Sequence, residues 1–302
     1  MASGGQVGYP RWPSILTVIG LPLLAYAVRQ NAINFCEIKL PWPMLQIATW
    51  NVNSIRTRLD HVCQWLDATG VDYLCLQETK VVDAEFPRHP FLERGYTVYC
   101  SGQKAYNGVA IISRQPLAAV EAGFAPQLPT QADLDDQKRL IRAQLSPDLT
   151  LVNVYIPNGG EYDSEKYHYK LRWLLGLHAY LAQLQGEVIL CGDFNIAPED
   201  KDLFDASDRA TKVGATDAER EQLAAIRALG FCDAFRHFTD AAGHYSWWDY
   251  RAGAFRRNHG WRIDHLYITT GLKQRAQACR IDVAPRRLPK PSDHAPVILT
   301  IE

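Results

Sequence analysis

The sequence predicts an α/β (α+β) domain of two packed, mostly antiparallel sheets with helices outside. Three observations predict it. Strand-like apolar runs outnumber helical ones. Four of them, at 96–100, 109–113, 140–145 and 149–156, follow one another with only turn or polar residues between, which favours antiparallel pairing. Most are apolar enough to be covered on both faces, as strands between another sheet and a helix layer would be.

The elements follow in order from Met44. Leu45–Trp50 reads as a strand. Leu59, Val62, Cys63 and Leu66 recur at helical spacing, and Gly70 can end that helix. Val71–Leu76 reads as a buried strand, and the four-strand series follows. A long helix is predicted over Ser164–Leu184 and a strand over Glu187–Cys191, running into Gly192-Asp193-Phe194-Asn195. A helix over Ala218–Leu229 precedes the last strands, Arg262–Thr269, Ala278–Val283 and Pro296–Ile301. No internal repeat, heptad run or low-complexity linker is visible.

At 302 residues, 47% hydrophobic and 22% charged, the chain has ample material for a core. Its net charge is −1. Arg11, Arg29 and Lys39 outweigh Glu37 within residues 1–43, so the remainder is more acidic still. Bulk charge therefore gives no support for a nucleic-acid partner; any basic surface must be local, and a carboxylate cluster that holds a cation would lower the sum. Seven cysteines form no C-x-x-C pair and several sit in apolar runs. They read as buried free thiols in a reducing cytosol, without zinc spacing.

Residues 1–43 are of different character. Ile15–Val28 is apolar but broken by Gly20 and Pro22, short of the roughly 20 residues a membrane span needs. It lacks the strongly basic start of a signal peptide. The only methionines are Met1 and Met44, and Met44 directly precedes the first strand. The expectation is that 1–43 is an extension, disordered or not part of the native protein, and that 44–302 is a single domain. A membrane anchor or targeting sequence is the alternative.

Polar residues cluster at strand ends. Asn51 and Asn53 follow the first strand; Glu78 follows the Val71–Leu76 strand; Asp193 and Asn195 follow Glu187–Cys191; Asp264 and His265 interrupt a strand; Asp293 and His294 open the last. One such Asp is ordinarily a turn residue or cap. Five positions together predict a carboxylate-rich pocket at one rim of the sheets. Several buried carboxylates repel one another, and a divalent cation resolves this. Oxygen ligands with waters and a substrate phosphate suit magnesium.

Ile47-Ala48-Thr49-Trp50-Asn51-Val52-Asn53-Ser54, Leu76-Gln77-Glu78-Thr79-Lys80, Gly192-Asp193-Phe194-Asn195-Ile196-Ala197 and Ser292-Asp293-His294-Ala295-Pro296 resemble the motifs of the endonuclease/exonuclease/phosphatase superfamily. Tyr245–Arg251 and Trp261-Arg262-Ile263-Asp264 resemble its exonuclease III branch of abasic-site endonucleases. The resemblance covers residues from Met44 onward. It implies a four-layer α/β/β/α sandwich and a magnesium-dependent phosphodiesterase of DNA repair, with manganese as a substitute. The implied activities are cleavage 5′ to abasic sites, 3′→5′ exonuclease and 3′-end cleaning. The implied substrate is duplex DNA with abasic sites or blocked 3′ ends, met by a cytoplasmic monomer with no membrane partner.

By motif position, the resemblance makes Glu78 a metal ligand, with Asn51 and Asp293 near the metal. Asp193 would activate the attacking water, oriented by Asn195, both beside the metal. His294 would contact the scissile phosphate at the same centre, its imidazole held by Asp264. Tyr155 would also contact the phosphate, and Asn158 the DNA backbone. Trp247, Trp261 and Ile263 would line a pocket for an extruded deoxyribose. These types suit the chemistry: an activated water in line with the leaving oxygen, and positive charge on the phosphoryl group.

Trp247, Trp248, Tyr250, Phe255 and Trp261 crowd a segment that also carries Arg251, Arg256, Arg257 and Arg262. Arg286-Arg287-Leu288-Pro289-Lys290 and Lys104–Gly108 are further basic or loop candidates. Such mixtures suit nucleic acid; the plainer alternative is that most of these tryptophans are core. Two other functions stay open: a phosphatase or phosphodiesterase on a non-DNA substrate, and a non-catalytic RNA-binding regulator. The Trp247-Trp248 segment argues for DNA, and the intact set Glu78, Asp193, Asn195, Asp264 and His294 argues for catalysis.

Overall fold

A computed structural model describes residues 44–302; the 1–43 extension lies outside the described residues. Two six-stranded sheets form the interior. The first runs β11 (Ala276–Ile281), β12 (Val297–Ile301), β1 (Leu45–Asn51), β2 (Tyr73–Gln77), β4 (Val109–Ser113), β3 (Thr97–Ser101). The second runs β5 (Val120–Ala122), β6 (Leu140–Ser146), β7 (Leu149–Tyr155), β8 (Glu187–Asp193), β10 (Asp264–Thr269), β9 (Phe231–Asp233). Both are mixed. β1–β2 and β7–β8 are parallel, and the other neighbours are antiparallel. The predicted sandwich is the observed one, with a parallel pair at the centre of each sheet.

Each parallel pair exists because a helix carries the chain back between its strands. The Ile55–Thr69 helix joins β1 to β2. Ser54 caps its start, and Gly70 ends it in the left-handed region at φ 65°. The Glu165–Leu181 helix, capped by Ser164, joins β7 to β8. The Asp217–Ala228 helix opens on a reciprocal Thr216/Glu219 capping box.

Strand alternation decides the layers. Ala48, Trp50, Leu74 and Leu76 join Val62 and Leu66 of the first helix in one outer core. Val152, Val154, Val188 and Leu190 join Trp173, Leu174 and Leu177 in the other. The opposite faces meet between the sheets, where a polar seam runs through the apolar packing. Gln77 Nε2 donates to Thr49 Oγ1 at 2.9 Å and to Asn153 Oδ1 at 2.7 Å. Asn153 Nδ2 reaches the carbonyls of Leu76 and Ala110 at 3.0 Å, so it ties the second sheet to the first.

Two short strands escaped the sequence reading: at three residues each, β5 and β9 show no periodicity. The predicted strand from Arg262 begins instead at Asp264, because Arg262 N bonds Asp202 O and Ile263 N bonds Ser246 Oγ rather than a ladder partner. Among the described residues no helix is long and apolar enough to cross a membrane.

Arg262, placed by sequence with the nucleic-acid surface, is buried instead. Its guanidinium pairs with Asp202 at 2.7 Å and Asp233 at 2.8 Å, and donates to His265 Nδ1 at 2.9 Å. A guanidinium is a donor only, so His265 Nδ1 must accept, and Nε2–H donates to Ile196 O at 2.9 Å. Burial and the adjacent Arg262 charge push the His265 pKa down to about 4. Between about 4 and 6.5 the unfolded chain therefore binds a proton that the native state refuses, and stability rises with pH across that window. The contribution is on the order of 3 kcal/mol, fully present above the unfolded value and lost as pH falls. His265→Gln keeps an acceptor and a donor without titrating. Urea titrations from pH 4 to 7 should show a shallower stability slope for this variant; an unchanged slope would exclude His265 as the source.

Candidate active site

Strand register lines up the polar ends. Tyr155 lies opposite Asp193 across β7–β8, and Asp193 opposite Asp264 across β8–β10. These three residues form a row at one rim of the second sheet. At the matching rim of the first sheet, Asn51 ends β1 and Glu78 follows β2. Asp293 and His294 arrive just before β12, which runs antiparallel to β1 and so begins at the rim where β1 ends.

The chain turns at this rim in the same way twice. Asn51 Oδ1 accepts from Asn53 N at 3.0 Å, and Asp193 Oδ1 accepts from Asn195 N at 2.9 Å. Both are Asx turns. They bring Asn53 and Asn195 to positive φ, 44° and 50°; Glu78 and Lys80 also stand there, at 50° and 54°. Backbone held in this region is ordinary for Asn and costly for Glu or Lys.

Asn51 bridges the sheets. Its Nδ2 donates to Glu78 Oε1 at 2.9 Å and to Asp193 Oδ2 at 2.8 Å. Tyr155 Oη donates to Glu78 Oε1 at 2.9 Å, and Lys80 Nζ lies 2.7 Å from Glu78 Oε2. Burial pushes the Glu78 carboxyl up, but Lys80 and the Asn51 amide outweigh it, so the pKa falls below the ordinary value and the group is ionised. Burial, with Glu78 and Asp193, raises Tyr155 well above the usual phenol range, so it keeps its proton.

His294 Nδ1 lies 2.8 and 3.1 Å from the two Asp264 oxygens, and its Nε2 lies 3.9 Å from Asp193 Oδ2. Burial alone would strip the imidazole of its proton. Asp264 and Asp193 reverse this and raise it to about 10, so it is an imidazolium at neutral pH. Burial lifts Asp193 to about 7 despite the His294 charge beside it. Asn195 Nδ2 donates to Asp193 Oδ2 at 3.3 Å and Ile156 O at 3.0 Å, and Asn158 Nδ2 donates to Asn195 Oδ1 at 3.1 Å.

Glu78, Tyr155, Asn158, Asp193, Asn195 and His294 line a cavity of about 290 Å³, while Asn51 and Asp264 stand behind them. Its second wall is apolar: Trp247, Trp261, Ile263 and Val213. The two indoles meet edge to face at 6.0 Å, with isolated bridges joining Trp247 to both Trp261 and His294. Trp247 Nε1 donates to Asp293 Oδ2 at 3.0 Å, and Asn53 Nδ2 holds Asp293 Oδ1 at 3.0 Å. Burial would raise Asp293, yet His294, Trp247 and Asn53 bring it below the ordinary value.

Glu78, Asp193 and His294 each place a ligand atom within 4.8 Å of the others. Two carboxylates facing each other, one of them buried and held well above its normal range, fit a hard divalent cation. The remaining sequence candidates are less direct. Asn51 and Asn195 use their amide nitrogens on Asp193, Asp293 is bonded into the apolar wall, and the His294 proton is held by Asp264.

All twelve sequence-predicted site residues fall at this rim; the surrounding arginines and tryptophans do not all follow. Trp248 is buried, and Arg286 packs inside over Trp248, Tyr250 and Phe255. Arg251 is exposed but paired with Asp249, while Arg256, Arg257, Arg287, Lys290, Lys104 and Tyr106 are exposed. The sequence reading gave no role to Ser246, whose Oγ accepts from Ile263 N and Asp264 N, or to Val213, a loop residue without a motif. Ser292, Asn53 and Lys80 stood inside quoted motifs unassigned. Ser292 Oγ donates to Asn51 O at 2.7 Å and so fixes the Asp293-His294 turn.

Residues 48–294 match the Endonuclease/Exonuclease/phosphatase family. The chain belongs to that family. Within it, the chain is 34% identical to an exodeoxyribonuclease of Bacillus subtilis, spanning 85% of this chain and 99% of that one. It is 32% identical to exodeoxyribonuclease III of Haemophilus influenzae, over 84% and 98%. Two solved structures superpose closely. The Neisseria 3′ phosphatase NExo, bound to a product DNA hairpin, has a TM-score of 0.80 at 36% identity, covering 85% of this chain and 99% of that one. An AP endonuclease from Archaeoglobus fulgidus has 0.78 at 39%, with the same coverage. This family member thus sits in the exonuclease III branch.

Gly192 sets Asp193 in place. At φ 146° it passes so close to β7 that a Cβ would stand 1.9 Å from Val154 O. Gly192→Ala must break the β7–β8 seam beneath the cavity. The expected loss is more than about 3 kcal/mol by thermal or urea denaturation; a variant as stable as wild type would contradict this packing.

Proposed function

We propose that this family member is a magnesium-dependent DNA repair phosphodiesterase of exodeoxyribonuclease III type. It cleaves 5′ to abasic sites, removes nucleotides 3′→5′ from duplex DNA and clears blocked 3′ ends. One observation supports the reading: in a single cavity a wall of ionised and amide groups faces an apolar wall of Trp247, Trp261, Ile263 and Val213, and the Trp247–Asp293 bond joins them. An abasic nucleotide enters such a cavity at least cost, because no base is unpaired or unstacked to extrude it.

Asp193 accepts the proton of the attacking water, which Asn195 orients. His294, protonated and fixed by Asp264, donates from Nε2 to a non-bridging phosphate oxygen. Tyr155 stays protonated and offers its hydroxyl to the same group. Asn158, exposed at the rim, holds the DNA backbone. Glu78 and Asp193 would hold the cation, with Asn51 between them and Asn195, Asp293 and His294 close by; when bound it neutralises the phosphoryl oxygens and the leaving oxygen. Magnesium suits the oxygen donors, and manganese substitutes for it. The enzyme acts as a monomer, and the six free cysteines of the described residues suit a reducing cytoplasm. Residues 1–43 take no part, and the catalytic domain is 44–302.

An end-labelled duplex with a single abasic site tests this directly. The wild-type protein should nick it with magnesium and not with chelator, and Asp193→Asn should slow the cut at least about a hundredfold. A wild-type protein that leaves the site intact with magnesium would overturn the function. Trp247→Ala should lose abasic cleavage while magnesium binding by calorimetry is preserved; undiminished cleavage would remove the aromatic wall from recognition.

A further inference from the structure

Behind the cavity, and lining no part of it, lies a buried ion pair. Lys170, on the Glu165–Leu181 helix, and Glu219, on the Asp217–Ala228 helix, are both 0% exposed. Lys170 Nζ lies 2.5 Å from Glu219 Oε1. It also donates to the backbone carbonyls of Asn195 at 2.7 Å and Asn158 at 3.2 Å. An ammonium has three N–H donors, and here each has a different element as its acceptor.

Glu219 does the same on its own side. Its carboxylate accepts from Gly214 N at 2.9 and 2.8 Å, from Thr216 N at 3.1 Å and from Thr216 Oγ1 at 2.7 Å. That loop forms part of the aromatic wall. Val213 lines the cavity, and Gly214 is pressed so close to Trp261 that a Cβ there would stand 2.9 Å from the indole. Gly214 O in turn accepts from Ala197 N at 2.7 Å, on the segment that follows Asn195.

We infer that the Lys170–Glu219 pair positions the active site, holding the Asn158 and Asn195 loops on one side and the Val213–Thr216 loop behind Trp261 on the other. The inference rests on the proposed phosphodiesterase function. Neither residue touches substrate. The ammonium fixes the backbone of Asn195, whose amide reaches Asp193, and of Asn158, whose amide holds Asn195, and the carboxylate fixes the backbone on which Trp261 leans. A buried ion pair does not by itself imply stability, since apolar or neutral replacements of similar volume often fold as well. Convergence of this pair on both walls is what a positioning role requires.

Lys170→Met alone leaves Glu219 buried and unpaired, and its loss of fold would say nothing. The informative protein is K170M/E219Q, which removes both charges at nearly constant volume, beside K170R, which keeps a buried cation with enough donors. The double variant should fold with a Tm within a few degrees of wild type. On an abasic duplex its kcat should fall roughly tenfold to a hundredfold while KM moves little, as expected of a small misplacement of catalytic groups. K170R should restore most of kcat. In 19F spectra of 5-fluorotryptophan protein, the Trp261 resonance should shift in the double variant and not in K170R. This readout needs no turnover, so it stands even if wild type proves inactive on abasic DNA, a result that would count against the function instead. A double variant with wild-type kcat or an unmoved Trp261 resonance overturns the inference. One that cannot fold overturns it too, because the pair would then serve stability.

Discussion

The rim is governed by charge held almost out of reach of bulk water. Asp193, Asp264 and His294 are all nearly inaccessible, and the Glu78 carboxylate reaches in from the opposite sheet. Ionised groups in such a place need partners. The fold supplies them from every direction: Asn51 across the sheet gap, Lys80 and Tyr155 onto Glu78, Asp264 onto the imidazole. The same partners decide protonation. His294 is a cation because two carboxylates face it, and Asp193 is easily protonated because burial outweighs the one cation beside it. A site with its acid, its base and its cation ligands thus follows from satisfying four charges in one small volume.

Those charges meet because the two sheets are built alike. Each has a parallel pair at its centre joined by one helix, two strands on one side and two on the other. Packed face to face, they bring corresponding strand ends to one edge, and each contributes an Asx turn, after Asn51 and after Asp193. The likeness is one of strand order, not of equivalent residues: Asn51 ends the strand before its crossover helix and Asp193 the strand after its own.

Legibility followed physical signal. Long strands and capped helices were readable within a few residues, since periodicity, Gly70 and Ser164 mark them. β5 and β9 were too short to mark themselves. The site residues were readable because polar groups at the ends of apolar runs are conspicuous and their motifs are specific. Their partners were less so. Arg262 sits among aromatic residues in a segment that looks like a DNA surface, yet Asp202, sixty positions away, draws it inside. Val213 has no motif; only the folded loop brings it to the cavity. Sequence shows which residues carry chemistry more readily than which residues hold them still.

The strand order also bears on how the enzyme is made. The second sheet comes from one continuous stretch, residues 120–269, and needs neither β11 nor β12. The first sheet is split: β1 to β4 are made early and must wait for β12 to pair with β1. His294 and Asp293 travel on the chain just ahead of that last strand. The hydrolytic centre therefore lacks its imidazolium until β12 pairs with β1, and the closing of the first sheet is what completes the site.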